Sequence, residues 1–202
     1  IQLNNFKLQE IKHIKVSGLD NYNNEIIKKK IRNLKLKNIF FLKKNDIKKI
    51  FDENSLVHNY IVFKQYPSTL YIKIQKTDLI AKININGETL VIGSNGRLSK
   101  NYPINENLPY IFGKPEILEF LQFKNIIDNS KISYNQIKNL FFFNSKRWDI
   151  ELNNNVLIKL SKNNPNLSLS TAFAILNDKN FNNAKIIDLR VNDQITINDK
   201  RN

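Results

Sequence analysis

The chain has 202 residues, 32 Lys and Arg against 18 Asp and Glu for a formal charge of +14, and neither Cys nor Met. The missing Cys excludes disulfide frameworks, thiolate-bound zinc, iron–sulfur clusters and thiol catalysis, and two histidines, His13 and His58, leave little for any other transition metal. The charge says less about partners: 34 Asn, 27 Lys and 30 Ile are residues of AT-rich codons, and only 5 of the basic residues are Arg.

In chain order, Ile11 to Val16 reads as a β-branched strand that stops at Ser17-Gly18. Asn24-Glu25 opens a helix with Ile26, Ile27, Ile31 and Leu34 at near-helical spacing; Asn accepts from the free first-turn amides and Glu suits the positive end. A second helix begins at Asn45-Asp46, presents Ile47, Ile50 and Phe51, and ends near Asn54. Val57 to Phe63 and Leu70 to Ile74 are strands joined at Tyr66-Pro67-Ser68-Thr69. In the second, Leu70, Ile72 and Ile74 alternate with Tyr71, Lys73 and Gln75, as in a sheet buried on one face. Residues 9–76 thus form a β-α-α-β-β domain.

Residues 77–202 read as a mostly antiparallel β domain with interspersed helices, which makes the chain α+β. Ile80 to Ile85, the Asn86-Gly87 turn, Thr89 to Ile92 and the Ser94-Asn95-Gly96 turn form a meander. Pro103, Pro109 and Pro115 break regular structure across a loop region, and Glu116 to Ile127 is a helix. Ser133 caps a further predicted helix through Ile137, Leu140 and Phe141. Trp148, Ile150 and Leu152 point one way, Asn153-Asn154-Asn155 turns the chain, and Val156, Ile158 and Leu160 return. Leu167 to Leu176 is helical; Lys185 to Val191, the Asn192-Asp193 turn and Gln194 to Asn198 close the chain as a hairpin.

Few residues here suit chemistry. Gly93-Ser-Asn-Gly96 leads to no helix and lacks the Lys-Ser/Thr ending of a phosphate loop, so it reads as a hairpin turn. His13 and His58 fall in strands outside any metal-ligand spacing, and Asp52-Glu53 and Glu116 with Glu119 sit in helical runs where solvation or pairing with Lys explains them. No enzyme activity, metal or cofactor is expected. Lys28, Lys29, Lys30, Lys35, Lys37, Lys43, Lys44, Lys48 and Lys49, with Tyr22, Phe40 and Phe41 nearby, invite an alternative reading as a basic nucleic-acid- or anionic-surface-binding module. The shortage of Arg, whose fork suits phosphates and base edges, argues against nucleic acid. No run approaches the roughly 18 apolar residues a membrane span needs. A chain opening at Ile1 without Met is expected to be a fragment, with a span or signal upstream.

Several strings carry a resemblance. They are Ile14-Lys-Val-Ser-Gly18; Asp46-Ile47 with Val57 to Phe63 and Tyr66-Pro-Ser-Thr-Leu-Tyr-Ile-Lys-Ile74; Val91-Ile-Gly-Ser-Asn-Gly96; and Leu108-Pro-Tyr-Ile-Phe-Gly113. Arg147-Trp-Asp-Ile-Glu-Leu152, Val156-Leu-Ile-Lys-Leu160 and Ile186-Ile-Asp-Leu-Arg-Val-Asn-Asp-Gln-Ile-Thr196 follow in the same order. Together they resemble the extracytoplasmic region of the bacterial cell-division FtsQ/DivIB family, whose first domain is a POTRA unit. One departure stands out: Lys76 and Leu79 occupy positions where the family has Glu and Pro.

The resemblance implies a single-pass inner-membrane protein with its span upstream of Ile1, this fragment in the periplasm, and a non-enzymatic divisome scaffold that binds the FtsB–FtsL pair through the β domain. Other division proteins would dock on the POTRA domain, whose sheet edge and helix groove suit a peptide. The mechanism expected is β-augmentation at the final strand, where Gln194, Ile195, Thr196, Ile197 and Asn198 pair through their main chain. Lys146 and Arg147 are candidates for an ion pair with an acidic partner residue; Arg147 lies in a matching string, Lys146 only beside it. Trp148 reads as core. Asp188 and Arg190 suit either partner binding or a structural pair.

Overall fold

The computed structural model describes residues 10–34, 39–100, 107–191 and 194–199. Its contacts divide the chain into two units, Ile1–Asp78 with Gly93–Arg97, and Leu79–Ile92 with Leu98–Asn202.

The first unit contains strand β1 (His13–Ser17), helices α1 (Asn21–Asn33) and α2 (Lys44–Asp52), and strands β2 (Val57–Gln65) and β3 (Thr69–Lys76). β3 lies between a parallel β1 and an antiparallel β2. Its alternation decides the core: Leu70, Ile72 and Ile74 are buried against Ile14, Ile27, Ile31, Ile47 and Phe51, while Tyr71, Lys73 and Gln75 face out. α1 starts ahead of the predicted Asn24-Glu25. The cap is Asp20, whose carboxylate accepts from the Asn23 amide at 3.0 Å, and an anion at this end also meets the helix dipole. Asn24 instead brackets Leu19, accepting from its N–H and donating to its carbonyl. Lys35 and Lys37 lie outside the described residues.

Gly93–Arg97 completes this unit. Asn95 Nδ2 donates to the carbonyls of Ser55 and Val57 at 3.0 and 2.9 Å, and Arg97 Nη1 to those of Phe51 and Asn54, both at 3.0 Å. The Phe51 and Asn54 carbonyls also accept from the backbone amides of Asn54 and Val57, at 3.1 and 3.2 Å, so the guanidinium adds a second, charged donor to each at the negative end of α2. Arg97→Ala is therefore expected to cost the first unit about 1–2 kcal/mol and to speed amide exchange along α2. Unchanged protection of α2 in hydrogen-exchange mass spectrometry would show that the guanidinium does not hold this helix end.

The second unit runs β4 (Leu79–Ile85), β5 (Glu88–Gly93), β6 (Leu98–Ser99), β7 (Tyr110–Phe112), α3 (Ile117–Asp128), β8 (Ile137–Phe142), β9 (Trp148–Leu152), β10 (Leu157–Lys159), α4 (Pro165–Leu176), β11 (Ala184–Asp188) and β12 (Thr196–Asp199). They form one nine-stranded sheet ordered β12-β11-β10-β9-β8-β7-β4-β5-β6. Pairings β5/β6, β8/β9, β9/β10 and β11/β12 are antiparallel; β4/β7, β7/β8 and β10/β11 are parallel. Parallel neighbours require crossovers, and α3 and α4 make two of them. Both steps advance in the same direction across the sheet, so right-handed crossovers lay both helices on one face. There Phe120, Phe123 and Ile127 of α3 and Leu169, Ala172 and Ile175 of α4 pack with Ile111, Leu140, Ile150, Ile158 and Ile187. Trp148 belongs to this core, its ring 4.7 Å from that of Phe123 and nearly parallel to it.

Two predicted features differ. Ile137 to Phe141 is strand, not helix: a short 3-10 turn, Tyr134–Gln136, precedes β8, which pairs with β7 and β9. The proline-bracketed region contains β7, three residues held by strands on both sides. Pro103 and the Asn192-Asp193 turn lie outside the described residues. Among the described residues no helix is long and apolar enough to cross a membrane, and no group of three His, Cys, Asp or Glu is placed to hold a metal.

Candidate partner-binding edge

Among the described residues, β12 is the outer strand of the large sheet. On its inner side Asn198, Ile197 and Thr196 stand opposite Ile186, Ile187 and Asp188. Ile197 packs against the core, while Thr196 and Asn198 are exposed. Backbone N–H and C=O groups of successive strand residues point alternately inward and outward, so the outward set is a template for another strand. Gln194 and Ile195, which the sequence reading included in the pairing strand, precede β12 and have no partner in its ladder to β11. A one-residue register irregularity between Ala184 and Ile186 lies in the facing strand.

Ile195 has a different setting. It lines a cavity of about 260 Å³ with Leu167, Ser168, Leu189 and Val191, and Leu167, Val191 and Ile195 are each more than half exposed. Sequence reading gave Leu167 only as the start of a helix and did not connect it with Val191 and Ile195, which the fold brings beside it.

The cross-strand register places Asp149, Lys159, Asp188 and Thr196 in one row on the face opposite the helices. Arg190 donates to Asp188 through Nε and Nη2, at 2.8 and 2.6 Å. That guanidinium, with a smaller contribution from Lys159, holds the Asp188 carboxyl below its ordinary range, and Asp188 in turn raises Arg190. Lys159 Nζ lies 3.9 Å from Asp188. At the inner end of the row Arg147 forks onto Asp149, Nε to Oδ1 at 3.1 Å and Nη2 to Oδ2 at 3.2 Å, and its guanidinium lies 4.1 Å over the Phe143 ring. Asp149 is 3% exposed and also accepts from the Leu160 amide. Burial pushes its carboxyl up, and Arg147 offsets only part of that.

The predicted site residues therefore fall into two groups. Thr196, Ile197 and Asn198 form the edge, with the Asp188–Arg190 pair behind it. Lys146 and Arg147 stand at the β8–β9 turn, three strands in from the edge. Lys146 has positive φ and is paired to Glu119, whose carboxyl it lowers. Sequence inspection missed Asp149, the internal acid that already engages Arg147.

A POTRA domain of FtsQ type matches residues 9–76, and the model described as cell division protein FtsQ/DivIB, C-terminal, matches residues 74–190. The chain belongs to the FtsQ/DivIB family. Among its curated relatives, the cell division protein FtsQ of Rickettsia bellii is 27% identical over 188 residues, covering 92% of this chain and 69% of the relative. FtsQ of Rickettsia conorii is 26% identical over 195 residues, with the same coverages of 92% and 69%. DivIB of Staphylococcus aureus is 34% identical over 98 residues, covering 46% of this chain and 21% of that protein. FtsQ/DivIB proteins are membrane-anchored division proteins of scaffold type.

Proposed function

We propose that this chain is the periplasmic part of a single-pass inner-membrane divisome scaffold, with its span upstream of Ile1, and that it receives a strand of the FtsB–FtsL pair at β12. Residues 9–76 act as the POTRA domain that docks other division proteins, and residues 77–202 as the domain that binds this pair. The observation that carries the reading is the place of β12: it is the outer strand of a nine-stranded sheet, with its ladder to β11 on one side. A partner that pairs with β12 and also brings an acid to Arg147 must cross three strand spacings, about 14 Å. Such a partner is longer than a single strand.

Proline tests the edge, because adjacent strand residues aim their amides in opposite directions. Of Ile197→Pro and Asn198→Pro, one removes an outward amide and the other an inward one. The outward replacement is expected to weaken binding of the extracytoplasmic FtsB–FtsL segments about tenfold or more in calorimetric titration, with unchanged Trp148 emission. Full affinity in both variants, each still folded, would rule out pairing at this strand.

A further inference from the structure

We infer that the end of the first unit bearing Phe40, Phe41 and Tyr66 seats on the surface of an anionic lipid bilayer. Phe41 is 75% exposed, Tyr66 54% and Phe40 51%. The Phe40 and Tyr66 rings stack with centroids 4.6 Å apart, which fixes the loop before α2 against the β2–β3 turn. Aromatic bodies gathered at one end of a small domain form a patch that calls for a partner. Lysines surround it: Lys64 reaches the Phe40 carbonyl at 3.2 Å, and Lys43 and Lys44 follow the loop, all three lining the groove that adjoins it. Asp46, the acid beside these lysines, is occupied as acceptor for the Lys43 amide at 2.7 Å.

The path of the backbone selects a membrane over a protein partner. The amides of Lys12 and His13 both donate to the Ser68 carbonyl, so the chain enters β1 beside the turn that carries Tyr66. With the anchor upstream, a reading proposed above on which this inference rests, the aromatic end is the one held nearest the bilayer. Phe and Tyr seated at the headgroup boundary with Lys around them is the arrangement that interfacial binding favours, and anionic headgroups add attraction for the cations.

The test uses the chain 1–202 and vesicles of phosphatidylcholine with or without phosphatidylglycerol. The native Trp148 is buried in the other unit and supplies a silent background. In the Phe41→Trp chain, vesicles containing phosphatidylglycerol are expected to shift emission to the blue, and brominated acyl chains to quench it, with neither effect in the parent chain. In sedimentation with the same vesicles, Phe40→Ser/Phe41→Ser should partition at least about tenfold less, whereas Phe112→Ser, at an exposed aromatic of the second unit, should partition like the parent. Absence of the shift and quenching, or equal partition of the double variant and the parent, overturns the inference and leaves the patch to a protein partner. The vesicles hold no partner strand, so such a failure leaves pairing at β12 standing.

Discussion

Asp149→Ala is expected to lower the stability of the second unit by about 3 kcal/mol, the loss typical of removing one member of a buried ion pair. Arg147 would lose its forked acceptor and Leu160 its amide partner, both beside a core in which Asp149 is 3% exposed. Asp149→Asn should cost less, because the amide oxygen still accepts from Leu160 and the charge that remains, on Arg147, is partly exposed. Urea unfolding followed by Trp148, the single tryptophan and the next residue in the chain, reads this unit alone. The folded carboxyl of Asp149 titrates above the ordinary value of 3.8 because burial outweighs Arg147. The fold thus binds this proton more tightly than the unfolded chain, and stability falls as pH rises through the folded value. Relative to Asp149→Asn, the parent chain should gain stability on acidification from neutral pH toward that ordinary value. Asp188 behaves oppositely: Arg190 depresses its carboxyl, so its contribution is present above the ordinary value and is lost as pH falls below it. A parent–Asn difference at position 149 that does not change with pH would show that the buried charge is compensated more fully than the geometry indicates.

The same residue shows where the sequence was legible and where it was not. Alternation placed Leu70, Ile72 and Ile74 on one face of β3 and Trp148, Ile150 and Leu152 on one face of β9, and the folded chain buries all six. By the same rule Asp149 reads as solvent-facing; it is buried because Arg147, two residues back on the same face, folds over it. β8 was misread for an equally local reason. Ile137, Leu140 and Phe141 fit helical spacing, but a register shift between Ile137 and Asn139 adds one residue to the strand, and the added residue brings Ile137 and Leu140 to the same face. A bulge mimics helical period over one turn, and only the flanking strands β7 and β9 distinguish the two. β7 itself is three residues between Pro109 and Pro115, stable only as an inner strand. At the candidate edge, terminal position and Ile–Thr–Ile alternation pointed to β12. The cavity beside it depends on Leu167 meeting Val191 and Ile195, which are distant from it in the chain and reach it through the α4 crossover.

Gly113→Ala is expected to cost roughly 3 kcal/mol, a sum of backbone strain and steric overlap, and to disturb the Trp148 cluster. Gly113 follows β7 with φ +101°, a region that side chains rarely enter, and a Cβ built there would lie 2.2 Å from the Phe142 carbonyl oxygen. That oxygen belongs to the last residue of β8, whose backbone has little freedom to retreat: Phe142 pairs with Trp148 across the sheet, and their rings lie 4.7 Å apart. The added methyl must therefore push β8 away from β7 or move Gly113 out of its turn, and either shift propagates to the indole. Gly87→Ala separates the two causes. Gly87 also has positive φ, +86°, but a Cβ there meets nothing within 4 Å, so only the strain remains, about 1–2 kcal/mol. In urea titrations followed by Trp148 the midpoint should fall further for Gly113→Ala than for Gly87→Ala, and native-state emission should move to the red only in the first. Equal costs, or an unmoved spectrum in Gly113→Ala, would show that β7 and β8 can separate without disturbing the aromatic core, and that close packing at Gly113 is not what fixes these two strands.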